Sequence, residues 1–157
     1  MADNVELARQ IFDEAWVHQS RRAYEQDYAD DAVIHDPIEG ALDKTEYDRR
    51  RRRFLRSIEI LDLRPDRFID GGEDVVVRYS MRARMRGPLL GIQPTGREGT
   101  IHGIVIFRFR DGRVIEQWQS WDTIHFLRQV GAVEAEPPAQ RDSLAGWEEE
   151  PTGGHPI

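Results

Sequence analysis

The sequence contains no cysteine and one lysine, Lys44, so arginine carries nearly all of its positive charge. Without thiols there is no cysteine nucleophile, redox pair, thiolate metal site or disulfide framework. Schiff-base chemistry would have to run through Lys44 alone. No apolar stretch approaches the length of a membrane span, so no membrane partner is expected. The opening MADNVELARQIFDEA places no apolar run behind basic residues. A secretory signal is therefore not expected, and a cytoplasmic location is the simplest expectation. A cationic surplus is also missing. The formal net charge is -7, which argues against a nucleic-acid partner, because binding phosphate backbones needs excess positive charge. The 157 residues, 39% hydrophobic and 32% charged, suit one domain with part of the chain outside its core.

From Val5 to Tyr28, apolar residues recur at spacings of three and four, including Ala8, Ile11, Phe12, Ala15, Trp16 and Tyr24. This predicts an amphipathic helix with a break near Gln19-Ser20. Ala32-Val33-Ile34-His35, stopped by Asp36-Pro37, predicts a short strand leading into a loop through Gly40. Asp43, with Glu46 three residues on, forms a capping-box pattern for a helix from Lys44 to Ile58. Tyr47, Arg50, Arg51, Phe54, Leu55 and Ile58 trace its buried side. The run Arg49 to Arg53 is read as a solvated helix face whose long stems cover apolar surface, in preference to a nucleic-acid contact.

Beyond residue 59 the period becomes two. A strand is expected around Arg64–Ile69, a turn at Gly71-Gly72 and a half-exposed strand from Val75 to Arg86. After a loop through Gly87 to Gly96, strands Thr100–Phe109 and Val114–Trp121 are joined by Asp111-Gly112, a strong hairpin signal. Helices followed by antiparallel strands indicate an α+β domain over residues 1–131. A curved sheet around helices leaves a dead-end cavity suited to an apolar small molecule. Residues 132–157 carry Glu134, Glu136, Asp142, Glu148, Glu149 and Glu150 against Arg141 alone, with several prolines. They read as an acidic, poorly packing tail that Leu144 and Trp147 could dock.

Four stretches, in order, resemble the SnoaL-like polyketide cyclases, within the fold shared with nuclear transport factor 2 and ketosteroid isomerase. They are Tyr28-Ala29-Asp30-Asp31-Ala32-Val33-Ile34-His35-Asp36-Pro37; Gly91-Ile92-Gln93-Pro94-Thr95-Gly96-Arg97; the run from Ile106 to Trp118 through Asp111-Gly112; and Asp122 followed by Gln129-Val130-Gly131. The resemblance implies a cone-shaped α+β barrel, a curved, mostly antiparallel mixed sheet wrapped around N-terminal helices. It also implies a homodimer or homotetramer and no cofactor; no metal is expected from the residues themselves. The activity it implies is intramolecular aldol closure of an apolar polyketide-like substrate. The acid–base aspartate falls at Asp122, with pocket histidines at His35 and His102. Trp118, Tyr28, Trp16 and Ser120 are the expected substrate contacts. Relatives that hydroxylate, hydrate or isomerise keep an epoxide hydrolase, hydratase or isomerase open as alternatives, as does a non-catalytic ligand-binding or dimerisation module.

Aldol closure needs a proton removed beside a carbonyl and returned to the new alkoxide, which one carboxylate in an apolar pocket can do. Asp122 ends a strand carrying Trp118 and Trp121, and an enolate oxygen also needs a donor such as His102, His35 or a backbone N–H. Strand register tests this. With a two-residue turn at Asp111-Gly112, His102 faces Trp121 and lies on the opposite face from Asp122. With a three-residue bulged turn, His102 faces Ser120, and His102, Trp118, Ser120 and Asp122 share a face. The catalytic reading requires that turn or another bulge nearby, and this is the expectation. Each residue also has a structural reading. Asp122 can cap a helix over Thr123–Val130, His102 can sit hydrogen-bonded in the sheet, and His35 can cap a turn. Glu116 is a further carboxylate candidate of the same parity as Asp122. His125, three residues after Asp122, permits a metal site with His35 or His102, but no tighter motif supports one.

Overall fold

A computed structural model describes residues 3–134; the expected tail lies outside the described residues from position 135 onward. Asp3 caps helix α1 (Asn4–Phe12) by accepting from the Val5 N–H, and a π-helical turn (Asp13–Val17) prolongs it. The chain breaks at the expected place, where Gln19 takes a left-handed φ of 54°, and resumes as α2 (Arg22–Gln26). Tyr28 is not helical. It opens strand β1 (Tyr28–Asp36), which is longer than the expected short strand.

After β2 (Gly40–Leu42), the capping box forms as expected: Asp43 accepts from the Thr45 and Glu46 N–H groups, and Glu46 accepts from the Asp43 N–H. This satisfies backbone donors that open the helix. The helix is α3 (Lys44–Ser57). Strands β3 (Ile58–Gly71), β4 (Asp74–Met85), β5 (Glu98–Arg110) and β6 (Arg113–Trp121) follow, then α4 (Thr123–Gln129). Their order across one open sheet is β2-β1-β6-β5-β4-β3. Only β1 and β6 run parallel; every other neighbouring pair is antiparallel. No helix among the described residues is long and apolar enough to cross a membrane.

One sheet face is buried. On β5 it presents Gly99, Ile101, Gly103, Val105, Phe107 and Phe109, alternating with exposed or half-exposed residues. Ile11, Phe12, Tyr24 and Tyr28 pack on one half of this face, and Phe54, Phe126 and Leu127 on the other. Each fully buried large apolar side chain contributes roughly 1.5–3 kcal/mol. The other face is open, and its arginines pair across strands: Arg78 with Asp66, Arg82 with Glu98, and Arg84 with Glu59 and Glu98. Such exposed pairs contribute little each.

The arginine run divides. Arg49, Arg52 and Arg53 are exposed, as a solvated face requires, but Arg50 and Arg51 point inward. Arg51 is fully buried, donates to Asp48 Oδ1 at 2.7 Å and to the Ala15 carbonyl at 2.5 Å, and lies over the Tyr24 ring. It thus ties α3 to the π-helical turn. Truncating Arg51 leaves Asp48 paired with Arg21 and Arg52, each at 3.1 Å, but removes the donor to the Ala15 carbonyl and empties the volume of a fully buried side chain. Arg51→Ala is expected to destabilise the domain by about 2–5 kcal/mol, read as a lowered urea midpoint.

Candidate functional site

The inner face and the helices enclose two small cavities of about 20 Å³ each, which share Trp16, Tyr79 and Gln119 in their walls. The first is completed chiefly by Tyr47, Arg50, Phe54, Met81 and Trp121. Tyr24, Tyr28 and Gln117 join the second. Each has room for about one water. Among the residues lining them there is no carboxylate and no imidazole.

A polar chain runs through these walls. The Tyr28 hydroxyl donates to Gln117 Oε1, and the Gln117 amide donates to Gln119 Oε1 at 3.2 Å. The Tyr47 hydroxyl donates to the same Gln119 oxygen. The Gln119 amide then donates to Asp36 Oδ2 at 2.9 Å, which Arg50 Nε approaches to 3.2 Å. The other Asp36 oxygen accepts the Ile38 and Glu39 N–H groups, each at 2.9 Å. Asp36 is therefore a buried anchor that orients Gln119 and Arg50. Burial pushes the Tyr47 phenol up to about 12 and those of Tyr24, Tyr28 and Tyr79 well above their ordinary value. Loss of a proton would leave an anion in an apolar wall. All four phenols are held neutral, and those of Tyr28 and Tyr47 donate hydrogen bonds.

Two local devices shape the chamber. The π-helical turn carries Trp16 to its wall, since a π turn inserts one residue and resets the inward face. Gly103 faces Tyr79 across β4 and β5, and a Cβ there would lie 2.3 Å from the phenol ring. Glycine at 103 is what lets that ring lie flat on the sheet.

Of the expected site residues, Trp16 and Tyr28 line the cavities; the others do not. The hairpin at Asp111-Gly112 is a two-residue turn with both residues at positive φ and Arg110 opposite Arg113. A bulge follows at once: Phe109 pairs with Val114 and Arg108 with Glu116, leaving Ile115 unpaired. The Asp122 N–H accordingly donates to the His102 carbonyl, so His102, Trp118, Ser120 and Asp122 do share a sheet side. It is the outer one. Trp118 pairs with Ile106 and Ser120 with Ile104, on the face away from the core.

His102 is exposed there, its Nδ1 3.1 Å from Ser80 Oγ. His35 stacks on Trp118 and contacts Glu116 Oε1 at 2.8 Å, and the Arg108 guanidinium lies over the Trp118 ring. Asp122 is exposed and accepts from the His125 N–H at 2.9 Å as the N-cap of α4. The expectation of a cavity aspartate flanked by histidines is corrected on this point: the inward parity of β6 belongs to Gln117, Gln119 and Trp121. Those residues, with Tyr47 and Arg50, were missed as site candidates. The available signal was the more apolar odd-numbered set of β5, which marks the buried face. Among the described residues, no three His, Asp or Glu side chains are grouped as metal ligands.

Comparison with known proteins agrees with this architecture. The family model for SnoaL-like polyketide cyclase matches residues 6–130. No curated protein matches the sequence. TsrD from Streptomyces laurentii is 26% identical with a TM-score of 0.71, over 85% of this chain and all (100%) of that one. A Jannaschia sp. CCS1 protein, provisionally assigned as a SnoaL-like polyketide cyclase, is 21% identical with a TM-score of 0.73, over 85% and 93%. A SnoaL-like polyketide cyclase from Agrobacterium tumefaciens is 14% identical with a TM-score of 0.69, over 83% and 100%. The last two likenesses concern the fold.

The four tyrosines of the sequence are all buried phenols with raised pKa. In the unfolded chain they ionise near the ordinary value of 10.0. Between that value and about 12 the unfolded state binds fewer protons than the native state, so stability falls as pH rises through this window. Native protein is expected to show no phenolate absorbance step near pH 10 and a single step that coincides with loss of circular dichroism.

Proposed function

The chain belongs to the SnoaL-like polyketide cyclase family, and from that premise we propose that its inner chamber widens, by movement of the side chains between its two one-water cavities, to take an apolar, polyketide-like small molecule for cofactor-independent, aldol-type ring closure. The observation that carries this reading is the convergence of neutral donors, the Tyr47 phenol and the Gln119 amide, with the Arg50 guanidinium in an aromatic wall. In ring closure, a water molecule admitted with the substrate takes the proton from the carbon beside a carbonyl, negative charge builds on that carbonyl's oxygen, the enolate carbon bonds to the second carbonyl carbon, and the proton returns to the new alkoxide. Fixed donors in a dry site stabilise that charge most, because they need no reorganisation. Tyr47 suits this role, since its raised pKa keeps the proton on its own oxygen, and that proton turns from Gln119 Oε1 to the substrate oxygen when the site is filled. Arg50 adds positive charge, and Asp36 acts as a positioning residue that holds both Gln119 and Arg50. Asp122 is assigned no proton transfer; it caps α4.

A second reading is favoured by one observation, the lack of carboxylate and imidazole among the lining residues: a small-molecule binding module without turnover. Uptake of solvent deuterium into the acidic methylene of a neutral β-keto ester, followed by NMR, separates the two without knowledge of the natural product. Catalysed exchange is expected in the wild type, with Tyr47→Phe slower by about 10²–10³-fold and Asp122→Asn unchanged, since Asn is also a good cap. Binding of the ester without exchange would support the module. Loss of exchange in a folded Asp122→Asn protein would return the catalytic role to that carboxylate.

A further inference from the structure

A third hollow, of about 500 Å³, opens beside the chamber and shares Arg50 and Phe54 with its wall. It is far roomier than the inner cavities and has the volume of a drug-sized ligand site. Helix periodicity builds one side of it. Arg50, Arg53, Phe54 and Ser57 are spaced i, i+3, i+4 and i+7 along α3, with Arg56 at the edge. The opposite side comes from Ile38 and Glu39 after β1 and from Pro88, Leu89 and Leu90 before β5.

Two features mark this hollow as a site for an amphipathic molecule. Its rim exposes large apolar side chains, Ile38 at 44% and Leu90 at 51%. Leu90 is held there, at φ 53°, by a tight turn closed by reciprocal Leu89 and Ile92 backbone hydrogen bonds. Such a conformation is unfavourable for a bulky residue. Its walls also carry excess positive charge. Arg50, Arg53 and Arg56 face a single wall carboxylate, Glu39, with Asp36 buried behind Arg50. Glu39 accepts Arg53 and lies 3.6 Å from Arg50. Arg56 has no side-chain ion pair or hydrogen bond among the described residues.

We infer that this hollow is a binding subsite for the anionic end of the substrate, and that the substrate is an apolar ring compound bearing a free carboxylate. The carboxylate is held by Arg56 and Arg53, while the apolar body passes Phe54 into the chamber. This rests on the reading that the inner chamber takes the apolar body. Phe54 contacts both Trp16 and Trp121 edge-on and lies beneath the Arg50 guanidinium, so its ring is the partition between hollow and chamber. Passage from hollow to chamber requires that ring to swing aside. Arginine suits the task because its planar fork matches a carboxylate with two parallel hydrogen bonds.

The test uses two fluorescent probes with one aromatic framework: anilinonaphthalene sulfonate, which is anionic, and phenylnaphthylamine, which is neutral. The double variant R53Q/R56Q is expected to bind the anionic probe about tenfold more weakly, a difference of about 1.4 kcal/mol, and the neutral probe unchanged. Arg64→Gln, an exposed arginine outside the hollow, is expected to alter neither. Ile101→Phe, which fills the chamber wall, is expected to weaken both probes. Equal loss of both probes in R53Q/R56Q, or no loss of the anionic one, would overturn the subsite. If the wild type binds the anionic probe but not the neutral one, the chamber reading fails while arginine-dependent binding still supports the subsite.

Discussion

One unpaired residue in β6 governs the chemistry available to this fold. In a strand, successive side chains point to opposite faces, so a single inserted residue exchanges the two sets. The bulge at Ile115 sends Gln117, Gln119 and Trp121 inward and Glu116, Trp118 and Ser120 outward. Without it the interior would receive a carboxylate and a different tryptophan, and the outer face would receive the amides. The amide and phenol character of the chamber follows from this parity. So does the gathering of His35, Trp118, Arg108 and Glu116 on the open face.

Helix α3 is the second organiser, through charges that a helix of its composition would ordinarily leave in water. Arg51 is neutralised by Asp48 on its own helix and anchored to the Ala15 carbonyl, while Arg50 is neutralised by Asp36 from the end of β1. Burying these guanidiniums is costly unless each is paired, and the pairing dictates where β1, the π-helical turn and α3 sit relative to one another. The chamber and the arginine-lined hollow lie on either side of Arg50 and Phe54 because these residues occupy adjoining turns of that helix.

The motifs by which the family is recognised serve architecture. Gly96 donates to the Met85 carbonyl, and Arg97 lies so close to Gly131 that a Cβ there would meet its guanidinium at 2.8 Å. The proline-threonine-glycine loop and the glycine after α4 are thus two halves of one contact, at the end of the β4–β5 pair beside α4. Asp111-Gly112 makes the hairpin and Asp122 starts α4. A sequence can announce its fold through such residues while the groups that meet a ligand vary around them.

Much of the fold was legible in local pattern. The Asp43–Glu46 capping box, the break near Gln19, the alternation of β4 and the Asp111-Gly112 turn are short-range physics, and each stands where the pattern put it. Family membership was legible too, because structural motifs recur in order. Helix periodicity put Arg50 and Arg51 on the buried side of α3, but the inward face of β6 and the partners that neutralise those two arginines were decided only in three dimensions. Alternation shows that two faces exist, but which one is covered depends on the helices packed against it, and a bulge can exchange them at the cost of one unpaired residue. A run of arginines is solvated by default, and only carboxylates from the same helix and from a distant strand end allow two of them inside. Composition left carboxylates and imidazoles as the expected proton movers. Tertiary structure placed His35, His102 and Asp122 outside the chamber, because the core claims the apolar parity of β5 and everything paired with the other parity faces water.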